Sequence, residues 1–217
     1  MGDKKGVELT KSEQTPAISI AIGDTKLRPQ GRPTSVRFER QRAYVYLVID
    51  TSGSMAGGKL EQAKKGVMDF AKDAFRKEYA VGLVSFNTTA QHVCEPTYDV
   101  ELLKEKLRGM HAMGSTNMAE AVKMAHHHLR RLDNTRVIVI ATDGLPDNAQ
   151  DALRAGAKAK ADRIDIIAIG TDDADQGFLR RLATRHELGK KVERAVFSEA
   201  ISSASNLLPP PTSITKR

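Results

Sequence analysis

The 217-residue sequence has no tryptophan, a single cysteine and few aromatic residues, which make up 5% of the chain. A core that is poor in aromatic side chains has to be aliphatic, and this favours a parallel sheet wrapped by helices over an aromatic-rich sandwich. The lone cysteine, Cys94, excludes an intrachain disulfide and a cysteine-rich metal site. A cytoplasmic location is the expectation that follows.

Long apolar runs are missing as well. No segment approaches the roughly 18 consecutive apolar residues that a membrane-spanning helix needs, and the polar N-terminus lacks the apolar core of a secretory signal. We therefore expect no association with a membrane.

Acidic residues are too few to balance the basic ones, and the formal net charge of +7 makes nucleic-acid binding an alternative function. Aromatic side chains that could stack on bases are scarce and are not interleaved with the basic residues, so nucleic acid is not the expected partner. An acidic protein partner explains the positive charge equally well.

The apolar residues follow a regular rhythm from about residue 41 onward. Near-continuous apolar runs, typical of strands buried on both faces, alternate with segments that have the apolar spacing of amphipathic helices. Strands are predicted at 43–50, 79–86, 91–94, 135–143, 164–170 and 191–197. Helices are predicted at 60–77, 100–107, 118–132, 149–161, 177–184 and 199–208. This alternation predicts an α/β fold of Rossmann-like type, with a doubly wound, mostly parallel central sheet, one short antiparallel edge strand at 91–94, and helices on both faces.

Three regions are predicted along the chain. Residues 1–40 are polar and form an N-terminal arm, which is either a β-hairpin extension of the main domain or a partly disordered segment. The main domain is predicted to span 41–208. Residues 209–217 form a proline-rich basic tail.

Oxygen-bearing side chains gather at three points where a predicted strand ends or a predicted helix begins. The first strand ends in Asp50-Thr-Ser52-Gly-Ser54, and the clearest strand ends in Thr-Asp143-Gly. A later helix is preceded by Gly-Ser-Thr116-Asn. Doubly wound sheets bind ligands at the carboxyl ends of their strands, so the three segments are predicted to converge there.

The side chains in these segments offer carboxylates and hydroxyls, with no thiol or imidazole among them. Such a set disfavours zinc and copper and favours Mg²⁺, with Mn²⁺ or Ca²⁺ as alternatives. We predict a metal site with the ligands Asp50, Ser52, Ser54, Thr116 and Asp143, and neither catalytic residues nor residues for an organic cofactor. Because only two of the five ligands are carboxylates, the ion keeps positive charge and can accept a partner's carboxylate in an open position.

Together, the three motifs resemble the metal-ion-dependent adhesion site (MIDAS) of the von Willebrand factor A (VWA) family, and the resemblance extends from about residue 42 to 205. It implies a VWA-type fold and a Mg²⁺ ion held by the five residues directly or through water. It further implies that an acidic side chain of a partner protein completes the coordination. The chain would then be a protein–protein interaction module, an adaptor and not an enzyme. Bacterial cytosolic tellurite-resistance-type members are the most similar in character, which makes a kinase, a phosphatase or an AAA+ ATPase of the same pathway a candidate partner.

A nucleotide-binding enzyme is the second alternative. Residues 53–59, Gly-Ser-Met-Ala-Gly-Gly-Lys, have the spacing of a phosphate-binding P-loop. Leu60 stands where such a loop needs Ser or Thr to hold magnesium, and no catalytic motif is complete, so we expect no enzyme activity.

The run His126-His127-His128 is a further candidate for metal binding. Consecutive residues of a helix point in different directions, about 100° apart, so these three cannot bind one ion together. We predict that they lie on the surface or are partly packed.

Overall fold

The computed structural model describes residues 43–212. The arm predicted for residues 1–40 lies outside the described residues, and so does the end of the predicted tail, at 213–217.

The centre of the structure is a six-stranded sheet with the strand order β3-β2-β1-β4-β5-β6. The strands are β1 Ala43–Asp50, β2 Tyr79–Phe86, β3 Ala90–Thr97, β4 Arg136–Thr142, β5 Asp165–Gly170 and β6 Gly189–Lys191. The strand β3 is antiparallel to β2 at one edge, and every other neighbouring pair is parallel. The predicted fold class, a mostly parallel sheet with one antiparallel edge strand, is confirmed.

Helices cover both faces of the sheet. They are α1 Lys59–Arg76, α2 Val100–Arg108, α3 Met118–Leu129, α4 Ala149–Ala161, α5 Gln176–Leu182 and α6 Phe197–Ser203. The helices α1, α2 and α6 contribute to one buried apolar cluster, and α3, α4 and α5 contribute to the other. Alternate residues of β1 enter the two clusters, Val45 and Leu47 on one side and Tyr46 and Val48 on the other. This alternation explains why β1 reads as a continuous apolar run.

The strand predicted at 191–197 is wrong. The structure has the short strand β6 at Gly189–Lys191, a 3₁₀ turn at Arg194–Val196, and helix α6 beginning at Phe197. Val196 is 41% exposed, whereas Phe197 is fully buried as the first residue of α6. Burial of one aromatic ring at a helix start, and not pairing along a strand, accounts for the apolar pattern.

Polar side chains are buried mainly at the carboxyl ends of the parallel strands. The buried polar residues there are Asp50, Thr51, Ser52, Ser85, Thr142, Asp143 and Thr171, and Thr116 precedes α3 at the same edge. Buried polar groups need partners, so this edge of the sheet is where a functional site is expected.

Candidate metal site

Asp50 is the last residue of β1 and is fully buried. Its Oδ1 accepts the backbone N–H of Ser52 at 2.8 Å, and its Oδ2 accepts the Thr142 hydroxyl at 2.5 Å. Burial raises the pKa of Asp50 to about 6, although these hydrogen bonds act in the opposite direction. Keeping the Asp50 carboxylate charged therefore costs free energy in the folded state, and a bound cation would offset this cost.

Ser52, Ser54 and Asp143 form a chain of contacts beside Asp50. The two serine hydroxyls are 3.0 Å apart, and the Ser54 hydroxyl donates to Asp143 Oδ1 at 2.7 Å. The 3₁₀ turn Gly53–Met55 brings the two alternate serines together, as the spacing of the first motif predicts. Four of the five predicted ligands are thus connected.

Thr116 lies on the adjoining loop, 113–117, which is held between two other loops. On one side, Gly53 N–H donates to the Gly114 carbonyl at 3.0 Å. On the other side, Thr116 N–H donates to Asp147 Oδ1 at 3.0 Å, and Asp147 N–H donates to the Thr116 carbonyl at 3.0 Å. The Thr116 backbone is therefore fixed at the same edge of the sheet as the other four predicted ligands.

Lys59, the last residue of the apparent P-loop in the sequence, lies at this site. The Nζ of Lys59 lies 2.5 Å from Asp143 Oδ2 and 3.0 Å from Asp172 Oδ2, and the lysine side chain is 12% exposed. Partial burial lowers the pKa of Lys59, but the two carboxylates outweigh it and raise the pKa above its usual value. The ammonium is committed to carboxylates, which supports a cation site over a phosphate-binding loop.

Two more residues were missed by sequence reasoning. Thr142 orients Asp50 through its hydroxyl, and Asp147 fixes Thr116 and also accepts the Ser115 hydroxyl at 2.8 Å. Both lie within four residues of Asp143, and such proximity to a predicted ligand was the available signal.

The residues at this edge fit a hard divalent cation. The buried Asp143 Oδ2 lies 2.5 Å from the Lys59 ammonium, so this oxygen already attracts positive charge. A carboxylate oxygen in such a position can also bind a metal ion if the lysine moves aside. Carboxylate and hydroxyl oxygens stand close to it, and all are ligands that Mg²⁺, Mn²⁺ and Ca²⁺ accept.

Lys59→Met is expected to tighten Mn²⁺ binding about tenfold. A unit charge and a divalent ion a few ångström apart repel by a few kcal/mol at an effective dielectric constant of about 20. The lysine avoids part of this repulsion by moving toward Asp172. Calorimetric titration of the metal-stripped protein measures the change, with Lys64→Met as the control because Lys64 pairs with Glu61 on the same helix. Weaker Mn²⁺ binding in Lys59→Met would mean that the ammonium positions Asp143 and does not compete with the metal.

Sequence comparison shows which known proteins this chain resembles. A family model described as the von Willebrand factor type A domain matches residues 45–207. The magnesium-chelatase 60 kDa subunit of Cereibacter sphaeroides is 27% identical over 171 residues, which cover 70% of this chain and 31% of that subunit. The inter-alpha-trypsin inhibitor heavy chain H4 of Sus scrofa is 33% identical over 113 residues, which cover 47% of this chain and 12% of that protein. The chain spans less than a third of the length of these relatives.

Solved structures with the same fold include a pilus tip protein and a mussel byssus protein. The von Willebrand factor domain of the type V pili tip protein Mfa5 from Porphyromonas gingivalis has a TM-score of 0.70 and 15% identity, with 76% of this chain and 94% of that chain covered. Proximal thread matrix protein 1 from the mussel byssus, with a zinc-occupied MIDAS motif, has a TM-score of 0.66 and 16% identity, with 76% and 46% covered. At 15% and 16% identity, this likeness is evidence for the fold alone.

Within residues 43–212, no helix is both long and apolar enough to cross a membrane.

Proposed function

Because the chain belongs to the von Willebrand factor type A domain family, we propose that it is a metal-dependent protein–protein interaction module that acts as an adaptor. Mg²⁺ is held directly or through water by Asp50, Ser52, Ser54, Thr116 and Asp143. An Asp or Glu side chain of the partner enters the open coordination position of the ion. In this proposal the chain has no enzymatic activity of its own.

The observation that carries the proposal is the pair of exposed apolar side chains that flank the site. Met113 is 61% exposed and Leu145 is 56% exposed, which makes them the most exposed large hydrophobic residues of the described chain. Met113 lies on the loop that holds Thr116, and Leu145 comes two residues after Asp143. Apolar anchors beside a charged centre suit a protein partner, which covers them on binding, better than a nucleotide.

The charge around the site favours an acidic partner. A groove of about 620 Å³ begins at residues 55–58, directly after Ser54, and continues between α1 and α2. Its apolar floor includes Met55, Leu107 and Met110. Within residues 43–212, the groove is lined by one acidic residue, Glu61, and by the basic residues Lys64, Lys65, Lys104 and Arg108. A partner segment that mixes acidic and apolar residues would complement both the groove and the metal.

An enzymatic role at this site lacks support in the described residues. Across residues 43–212, the hydroxyls of Ser52 and Ser54 bond to each other and to Asp143, with no histidine among their partners. A serine nucleophile without an adjacent base is not activated. The cytoplasmic location, and a kinase, phosphatase or AAA+ ATPase as the source of the acidic segment, stay predictions.

A displayed library of short random peptides, selected on the protein in Mg²⁺ and eluted with EDTA, tests the function. We expect the selected peptides to share an Asp or Glu whose replacement by Asn or Gln abolishes binding. ATP binding with Mg²⁺, or steeply salt-dependent binding to nucleic acid, would favour the alternative functions. Peptides that bind equally well in EDTA, or without any acidic residue, would refute the proposed recognition.

Leu145→Ser is expected to weaken the selected peptides about fivefold to tenfold while the Mn²⁺ affinity stays unchanged. The substitution removes an exposed apolar contact but no oxygen of the metal site. Fluorescence anisotropy of labelled peptides gives the affinity, and calorimetry gives the metal binding. Tyr98→Ala is the control, because Tyr98 is 49% exposed but bonds to the Glu78 carbonyl, which precedes the amino end of β2. Equal losses in both variants would contradict a specific role for Leu145.

A further inference from the structure

A second cluster of metal-binding side chains lies away from the first site. It consists of His92 and Glu95 on β3 and His128 on α3, whose candidate ligand atoms all lie within 4.8 Å of one another. His128 lies ten residues after Met118, which corresponds to about 15 Å along the helix axis. His128 therefore lies near the end of α3 that is remote from Thr116, so the two clusters are separate.

An irregular edge strand brings these three residues together. The register between β3 and β2 shifts on both sides of Cys94, where β3 carries additional residues. In a regular strand His92 and Cys94 would share a face, but Cys94 packs into the cluster on the α1 side while His92 contacts His128 of α3. The bulge thus lets His92 and Glu95, three residues apart, meet the same helix.

The expectation that His126, His127 and His128 cannot act together agrees with the structure. His126 Nε2 lies 2.6 Å from Asp162 Oδ2, and His127 is exposed. His128 alone of the three is within reach of Glu95 and His92. A ligand set drawn from two elements, with 32 residues between Glu95 and His128, leaves no motif in the sequence.

The side chains are already arranged around one carboxylate. Glu95 Oε1 lies 3.2 Å from His128 Nδ1 and 3.7 Å from His92 Nε2. The buried hydroxyl of Tyr46 donates to Glu95 Oε2 at 3.0 Å and lies 2.9 Å from His92 Nε2. With its proton committed to Glu95, this hydroxyl accepts from His92 Nε2–H. Moving that proton to Nδ1 frees the Nε2 lone pair for a metal.

The two imidazoles lie face to face, and the surroundings of His92 favour the neutral form that a metal requires. Their rings stack in parallel, with centroids 3.9 Å apart and planes 4° from each other. Burial, followed by the neighbouring His128, lowers the pKa of His92, while Glu95 acts in the opposite direction. Each histidine side chain is 24% exposed, which gives the rings room to turn and gives an ion access from solvent.

We propose that His92, His128 and Glu95 form a binding site for Zn²⁺. Two imidazole nitrogens and one carboxylate oxygen suit this borderline ion, and they leave a fourth tetrahedral position for water. Binding turns the two rings out of their parallel stack, because lone pairs in parallel planes do not converge on one ion. Tyr46 is a positioning residue, since its hydroxyl orients Glu95 and His92.

Zn²⁺ titration against a chromophoric chelator tests this site in the full chain. The Asp50→Asn background and excess Mg²⁺ keep zinc from the first site, which is necessary because a structural neighbour has zinc in its MIDAS motif. We expect one equivalent of Zn²⁺ to bind and each of His92→Gln and His128→Gln to lower the affinity at least about tenfold. His127→Gln is the matched control and should change nothing. In NMR spectra, the imidazole signals of His92 and His128 should shift with zinc, whereas those of His111 and His186 should not.

Equal zinc affinities in His128→Gln and in the parent protein would overturn the proposal. So would zinc binding that disappears with Asp50→Asn and is unaffected by the histidine substitutions, since the ion would then occupy the first site. In an otherwise unsubstituted chain, Mn²⁺ titration and thermal unfolding of the histidine variants establish that the fold and the first site are intact. With both unchanged, a loss of zinc binding is assigned to the missing ligand.

Discussion

Asp50→Asn is expected to weaken Mn²⁺ binding at least about 100-fold and, in the same molecule, to stabilise the metal-free protein by about 2–3 kcal/mol. The carboxylate is fully buried, and burial raises its pKa from 3.8 to about 6. A shift of about two pKa units corresponds to roughly 3 kcal/mol. Asn keeps the hydrogen bonds, because its oxygen can accept from Ser52 N–H and its amide can donate to the Thr142 hydroxyl.

The stabilisation depends on pH in a direction set by the raised pKa. A folded state that holds its proton more tightly than the unfolded chain loses stability as pH rises from about 4 to about 6. The difference between Asp50→Asn and the parent protein should therefore be full above pH 6 and small below pH 4. Urea unfolding in EDTA at both ends of this range measures it, and calorimetry at neutral pH measures the metal affinity.

Asp69→Asn is the matched control for this substitution. Asp69 lies on α1 with its side chain 44% exposed and paired only with Lys72 in the described structure, so neither stability nor metal binding should change much. A destabilised Asp50→Asn protein would show that the carboxylate has fold-supporting contacts which Asn does not replace. Retained Mn²⁺ affinity would remove Asp50 from the ligand set.

The sequence predicted best the features that follow directly from residue type, from spacing and from the order of the strands. The bounds of β1, β2 and α4 were predicted as the structure has them, because uninterrupted apolar runs and a regular helical spacing define them. Asp50 and Asp143 follow β1 and β4, which pair in parallel, so a sequence argument could place both carboxylates at one sheet edge.

The edge strand β3 was predicted too short. The expected strand ended at Cys94, whereas the strand in the structure also includes Pro96, which lacks the N–H that a central strand needs. The structure extends β3 from Ala90 to Thr97, because an edge strand pairs on one side only and tolerates proline. The irregular pairing of β3 with β2 could not be predicted from apolar spacing, and it is this irregularity that lets His92 and Glu95 contact the same helix.

Contacts between distant segments were also beyond the sequence. Lys59, Asp143 and Asp172 meet because the loops after β4 and β5 face the start of α1. No spacing rule links a lysine in one segment to carboxylates that follow it by more than 80 residues. The same lysine completes an apparent P-loop in the sequence, and its two carboxylate partners, known only from the fold, favour the metal site over the P-loop.

Gly114→Ala is expected to weaken Mn²⁺ binding by about 10-fold to 100-fold and to destabilise the fold by about 1–3 kcal/mol. Gly114 has φ +73°, and an added Cβ would lie 2.4 Å from the Thr88 hydroxyl oxygen. The Gly114 carbonyl also accepts from Gly53 N–H, so the loop that carries Thr116 cannot shift without disturbing the serine loop. The substitution therefore misplaces ligands without removing any oxygen from the site.

Gly109→Ala separates this effect from a general cost of replacing glycine. Gly109 has an ordinary φ of −74°, and its added Cβ would meet nothing closer than the Lys106 carbonyl at 3.6 Å, so neither property should change. Adding Thr88→Ala to Gly114→Ala should restore part of the metal affinity, because it removes the close contact and leaves the strained φ. Calorimetry measures the loss of Mn²⁺ affinity, and urea unfolding measures the loss of stability.

Thr116→Val tests the hydroxyl directly, since it deletes the hydroxyl and leaves the loop backbone in place. If Gly114→Ala kept the full Mn²⁺ affinity while Thr116→Val lost that affinity, the Thr116 hydroxyl would be a ligand that tolerates movement of its loop. If both variants kept the full Mn²⁺ affinity, Thr116 would not be a ligand.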